Sequence, residues 1–109
     1  MIWITGNSGA GKTTLAEKLF EMIPNSIVLD GNTLRDIWIG LGFSELDRRE
    51  QSFRTVKLAT YLERQGYNVI VSVICPYKDL RKTLDDNFKI FWIKLRGGKK
   101  PSKEYPYED

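Results

Sequence analysis

A chain of 109 residues accommodates one domain and not two. With 41% hydrophobic residues and no apolar run near the roughly 20 that a membrane helix needs, it reads as a globular domain with no membrane partner. The absence of histidine and a single cysteine, Cys75, exclude an intramolecular disulfide and disfavour a zinc site; this usage fits a reducing cytoplasm. No secretory signal is expected, because the first strand begins at residue 2.

Apolar, β-rich runs alternate with helical stretches. Strands are predicted over Ile2 to Thr5, Ser26 to Leu29, Asn68 to Val73 and Lys89 to Lys94. Helices are predicted over Thr13 to Met22, Thr33 to Ile39, Glu45 to Gln65 and Lys78 to Asp86, with Ser44 the N-cap of the long third helix. The order β-α-β-α-α-β-α-β predicts an α/β fold: a small parallel sheet of about four strands with helices on both faces. Val69-Ile70-Val71 is apolar throughout, as a strand covered on both faces should be. The periodic part ends near residue 96, and 97–109 reads as a loop or mobile tail. The net charge of +3 lies partly in Lys94, Arg96, Lys99, Lys100 and Lys103. A solvated tail is the simplest reading, and a basic flap over an anionic ligand is the sharper one. Nucleic acid is disfavoured as a partner, since the charge is small and no recognition motif accompanies it.

The stretch Gly6-Asn7-Ser8-Gly9-Ala10-Gly11-Lys12-Thr13-Thr14 contains the Walker A pattern in full. Glycines let the backbone wrap so that N–H groups point at phosphate oxygens, and the following helix adds the positive end of its dipole. Lys12 is expected to reach the β- and γ-phosphates, and the Thr13 hydroxyl to ligate Mg²⁺. The motif follows a strand and opens a helix, the context that distinguishes it from a chance glycine-rich turn. It predicts a P-loop NTPase-type three-layer α/β/α fold binding MgATP or MgGTP.

The second substrate has to be read elsewhere. No Asn-Lys-x-Asp guanine signature is present, and the run Val69 to Val73 ends without the acid that an ATPase motor would usually carry. Ile27-Val28-Leu29-Asp30 does end in an acid and leads into Gly31-Asn32-Thr33-Leu34-Arg35. Phosphoryl transfer to an alcohol needs a group to orient or deprotonate the hydroxyl, for which Asp30 is the candidate. It also needs cations for an anionic acceptor, for which Arg35 and Arg48 are candidates. The plainer alternatives are a helix N-cap for Asp30 and a solvated helix face for Arg35.

These residues resemble the adenylylsulfate kinases, which phosphorylate the ribose 3′-hydroxyl of adenosine 5′-phosphosulfate with ATP. Beside the phosphate loop, Leu29 to Arg35 resembles the family's "LDGDxxR". Leu41-Gly42-Phe43-Ser44-Glu45-Leu46-Asp47-Arg48-Arg49-Glu50 resembles "LGFSxxDRxEN", and Val69 to Tyr77 resembles "VIVSxISPY". The resemblance implies that Asp30 sits near the acceptor hydroxyl, with Phe43 stacked on the acceptor's adenine. It implies that Arg35 and Arg48 hold the phosphosulfate end, that Gln51 contacts the acceptor, and that the backbone at Ile74 lines the adenine slot. A core aromatic is the alternative for Phe43.

The sequence departs from that pattern at Asn32, Gln51 and Cys75, which replace Asp, Asn and Ser. Most of a basic lid region is missing between Leu95 and Pro106-Tyr107-Glu108, the last of which resembles the end of the family's "GIDxPYExP". Arg96 to Lys100 is then expected to serve as a minimal lid, and the uncovered surface leaves room for a second subunit in a homodimer. The rival readings are a kinase of the same fold with another nucleotide-like or anionic alcohol acceptor, a catalytically weak nucleotide-binding module, and a nucleic-acid 5′-hydroxyl kinase.

Overall fold

The computed structural model describes residues 1–109. In chain order it contains β1 (Ile2–Thr5), α1 (Lys12–Met22), β2 (Ser26–Asp30), α2 (Gly31–Ile37), α3 (Glu45–Arg64), β3 (Asn68–Ser72), α4 (Lys78–Asn87) and β4 (Phe91–Lys94). The four strands form one parallel sheet in the order β2-β3-β1-β4. No helix is long and apolar enough to cross a membrane.

Strand alternation divides the interior into two cores. Trp3, Val69 and Val71 project to one face, where they pack with Val56 and Ala59 of α3 and Leu80 and Leu84 of α4. Ile4 and Ile70 project to the other face, against Ala16 of α1. Burial on both sides explains why Val69-Ile70-Val71 is apolar without interruption. Trp3 is fully buried, and its indole N–H donates to the Val73 carbonyl at 3.0 Å, so the largest core side chain leaves no polar atom unpaired.

Side-chain caps set the starts of two helices. The Ser44 hydroxyl accepts from Asp47 N–H at 3.1 Å and starts α3 at Glu45. Asp30 caps α2 in the same way, so this helix opens at Gly31 and not at Thr33. Residues 97–109 contain no helix or strand, yet they are fastened to the domain. Lys99 N–H donates to the Ser8 carbonyl at 2.8 Å, and Glu108 N–H donates to the Pro76 carbonyl at 2.8 Å. The Glu108 carboxylate accepts from Lys78 N–H at 2.8 Å, at the start of α4. The segment expected as a loop or mobile tail is an irregular strap hydrogen-bonded to the domain.

Candidate active site

The phosphate loop leaves β1 after Thr5 and enters α1 at Lys12. Gly6 is required by close approach: a Cβ there would lie 2.7 Å from the Leu95 carbonyl oxygen, at a φ of +155°. Two loop N–H groups are satisfied internally, Ser8 by the Asn7 side chain at 2.8 Å and Ala10 by the Asn7 carbonyl at 3.1 Å. The N–H groups of Gly9, Gly11, Lys12, Thr13 and Thr14 have no protein acceptor. Unpaired donors gathered at a helix N-terminus form an anion cradle. Lys12 Nζ donates to the Asn7 carbonyl at 3.1 Å, which arches the side chain over the loop. Burial pulls the Lys12 ammonium below the usual lysine range, and the Asp30 charge opposes that pull.

Asp30 joins the loop to the acceptor side. Its Oδ2 accepts from Asn32 N–H at 3.1 Å and Thr33 N–H at 3.4 Å, while its Oδ1 accepts from the Thr13 hydroxyl at 3.3 Å. Asp30 is thus the N-cap of α2 and at the same time lines the cleft. The cleft above it has a volume of about 680 Å³, within the range of small-molecule sites. Lys12, Thr13 and Asp30 line the cleft together with Arg35, Phe43, Arg48, Gln51 and Ile74.

Arg35 and Arg48 converge on Phe43. The Arg35 guanidinium lies 4.2 Å from the ring centroid and the Arg48 guanidinium 5.5 Å. Arg35 donates to the Gly42 carbonyl, and Arg48 Nε donates to the Phe43 carbonyl at 2.7 Å. Burial, and then the Arg48 charge, lower the Arg35 guanidinium from its ordinary value, with Asp47 opposing. Phe43 is 68% exposed, which removes the core-aromatic alternative. An exposed ring between two cations, on the rim of a cleft that starts at a phosphate loop, suits a planar anionic ligand.

Comparison with known proteins decides among P-loop families. The profile of the family described as adenylylsulphate kinase matches residues 1–93. The chain belongs to the adenylylsulphate kinase family. An adenylyl-sulfate kinase of Burkholderia ambifaria is 42% identical over 86 residues, covering 74% of this chain and 48% of that protein. A cytidine diphosphoramidate kinase of Campylobacter jejuni is 33% identical over 99 residues, covering 84% of this chain and 58% of that protein. The APS kinase CysC of Mycobacterium tuberculosis, solved in complex with AMPPNP and APS, has a TM-score of 0.70 at 36% identity. That match covers 85% of this chain and 60% of that one. The chain spans about half the length of the adenylyl-sulfate kinases it matches.

Within this member of the adenylylsulphate kinase family, several residues sit otherwise than the sequence led us to expect. Ser8, Gly9, Gly11 and Thr14 line the cleft, whereas Gly6, Asn7 and Ala10 do not. The Asn7 side chain is 4% exposed and turns to the strap, donating to the carbonyls of Lys99 at 2.9 Å and Tyr105 at 3.0 Å. Gln51 is 3% exposed, and its amide nitrogen donates to the Gly31 carbonyl at 2.9 Å, so it also positions the first turn of α2.

None of Arg96 to Lys100, expected as a minimal lid, lines the cleft. Gly98 is pressed onto the phosphate loop, where a Cβ would lie 2.5 Å from the Ser8 carbonyl oxygen, and the Lys99 ammonium stands 5.5 Å from the Tyr105 ring. Glu104 and Tyr105 are the strap residues that reach the cleft, and Arg48 Nη2 donates to the Glu104 carbonyl at 3.2 Å. Sequence reasoning missed them because such backbone contacts leave no signature in residue type. It also passed over Ser72, another lining residue, although it had noted that the strand there ends without an acid.

Proposed function

We propose that this protein transfers the γ-phosphoryl group of ATP to the 3′-hydroxyl of adenosine 5′-phosphosulfate, forming ADP and the 3′-phosphorylated product. The observation that carries the proposal is the triangle of Arg35, Phe43 and Arg48 on the rim of the cleft whose floor is Lys12, Thr13 and Asp30. It unites an anion-binding aromatic platform with a phosphate cradle, and a transferase needs both. Family membership and the ligands of the Mycobacterium tuberculosis relative support the same assignment.

The residues act chiefly by positioning and by electrostatics. The free N–H groups of Gly9, Gly11, Lys12 and Thr13 hold phosphate oxygens. The Lys12 ammonium meets charge at the transferring group. Arg35 and Arg48 grip the phosphosulfate end while Phe43 stacks on the adenine. Asp30 Oδ2 is held by two α2 N–H groups, and Oδ1, which accepts from the Thr13 hydroxyl, has a second lone pair for the hydrogen bond of the attacking hydroxyl. Glu104 and Tyr105 wall one side of the cleft. A divalent cation fits the donor set, because the Thr13 hydroxyl and an Asp30 oxygen lie 3.3 Å apart at the cleft floor. Mg²⁺ bound there would neutralise charge on the nucleotide's phosphates.

Calorimetric titration of adenosine 5′-phosphosulfate into the protein with MgADP tests this assignment. Saturable binding, weakened by at least about tenfold in both R35A and R48A, is expected, as each variant removes a charge-assisted contact. Binding that both variants leave unchanged would contradict it. A second acceptor class is favoured by one observation: Asn32, Gln51 and Cys75 all line the cleft at positions where the family pattern has other residues. The similarity to a cytidine diphosphoramidate kinase makes a cytidine diphosphate derivative the comparison ligand.

A further inference from the structure

Ser72 ends β3, the strand between β2 and β1, and carries the protein's one buried side-chain oxygen without a hydrogen-bond partner. The residue is 3% exposed. An unpaired hydroxyl in that setting is destabilising, and an alanine would fill the position without the penalty. Folding therefore gives no reason for a hydroxyl here.

The sheet register locates the side chain. Ser72 is paired with Asp30 of β2 and with Ile4 of β1, and paired residues in a parallel ladder project to the same face. Ile4 and Ile70 pack on Ala16, so that face is the one covered by α1. Ser72 thus stands beside Asp30, beneath the turn where the phosphate loop becomes α1. Lys12, Thr13, Asp30 and Ser72 line one cleft, and none of the other three reaches the Ser72 hydroxyl.

Phosphate-bound divalent cations of the Mg²⁺ type keep several waters, and each water is a hydrogen-bond donor that needs an acceptor. In P-loop proteins with an acid in the corresponding role, a carboxylate helps hold the cation. A serine supplies an acceptor without a second negative charge beside Asp30.

We propose that Ser72 Oγ is an outer-sphere partner of the nucleotide-bound cation, accepting a hydrogen bond from a water in its shell. Thr13 supplies the inner-sphere oxygen. Ser72 is thereby a positioning residue for the metal–nucleotide complex. This assignment rests on the reading of the cleft as a metal–nucleotide site.

The test compares the whole chain with S72A by calorimetric titration of AMPPNP, with Mg²⁺ or with EDTA, together with a thermal melt of the ligand-free protein. Wild type is expected to bind AMPPNP more tightly with Mg²⁺. In S72A about tenfold of that gain should be lost, the size usual for an outer-shell partner of a metal, with affinity in EDTA unchanged. Ligand-free S72A should melt no lower than wild type, since it has lost an unpaired hydroxyl. An undiminished Mg²⁺ gain in S72A overturns the assignment. So does an equal loss in EDTA, which would place the hydroxyl on a phosphate. A lower melting point or failure to fold would make the hydroxyl structural and overturn it as well. Wild type that binds no AMPPNP in either condition removes the nucleotide site itself, a failure visible before any variant is made.

Discussion

The guanidinium of Arg35 lies 4.2 Å from the centroid of the Phe43 ring, and the two residues reach each other from different elements. Arg35 belongs to the last turn of α2, and Phe43 to the loop before α3. The Gly42 carbonyl, which accepts from Arg35, fixes their spacing. Phe43 stays largely exposed, so its ring is presented to a ligand and not to the core.

F43A should raise the KM for adenosine 5′-phosphosulfate about tenfold, since stacking of a base on an aromatic ring is worth roughly 1–3 kcal/mol. The KM for ATP and the melting temperature should barely change. Initial rates at varied acceptor, with a melt of each protein, check this.

Asp30 has two roles that substitution can separate. Asn is as good an N-cap as Asp, whereas Ala costs about 1 kcal/mol at such a position. D30N should therefore melt close to wild type and lose about 100-fold or more in kcat, the range of a lost acid–base group. D30A should lose both activity and stability. Denaturant unfolding together with turnover distinguishes the two variants.

Much of this was legible because it rests on local patterns. The apolar run Val69 to Val71 announced a strand covered on both faces, and the glycine spacing of residues 6–13 announced a phosphate loop between a strand and a helix. The juxtaposition of Arg35, Phe43 and Arg48 was legible only through resemblance, because nothing in their spacing brings a turn of α2 against the start of α3. The role of Asn7 was not legible at all. Its side chain meets carbonyls more than ninety residues away, and carbonyls carry no residue-type signal. The strap's attachment was not legible for the same reason: Gly, Lys and Pro predict irregular backbone correctly and say nothing about what holds it.

N7A removes the two hydrogen bonds from the Asn7 side chain to the strap and should destabilise the protein by about 1–3 kcal/mol, the cost of leaving buried polar groups unpaired. Residues 97–109 should exchange amide hydrogens faster in this variant while α3 and β3 remain protected. Hydrogen exchange read by mass spectrometry reports both.

Burial in the core beneath α3 pushes the Cys75 thiol up to about 11. Between the ordinary cysteine value and that one, the unfolded chain releases a proton that the folded chain retains, so this thiol contributes a loss of stability as pH rises through the window. At pH 8 the native thiol is neutral and enclosed. Its alkylation by iodoacetamide should be at least about 100-fold slower than in denaturant, since the thiolate is the reactive form. In C75A, the part of the alkaline loss of stability due to this thiol should vanish, as followed by urea unfolding at stepped pH.

The central claim is tested most directly by ADP release from MgATP with and without adenosine 5′-phosphosulfate, using wild type and D30N, with the product identified by mass and by its site of phosphorylation. The account predicts acceptor-dependent ADP from wild type, a product bearing its new phosphate on the 3′-oxygen, and near-complete loss in D30N. ADP release that ignores the acceptor, or that D30N sustains at the wild-type rate, would contradict it.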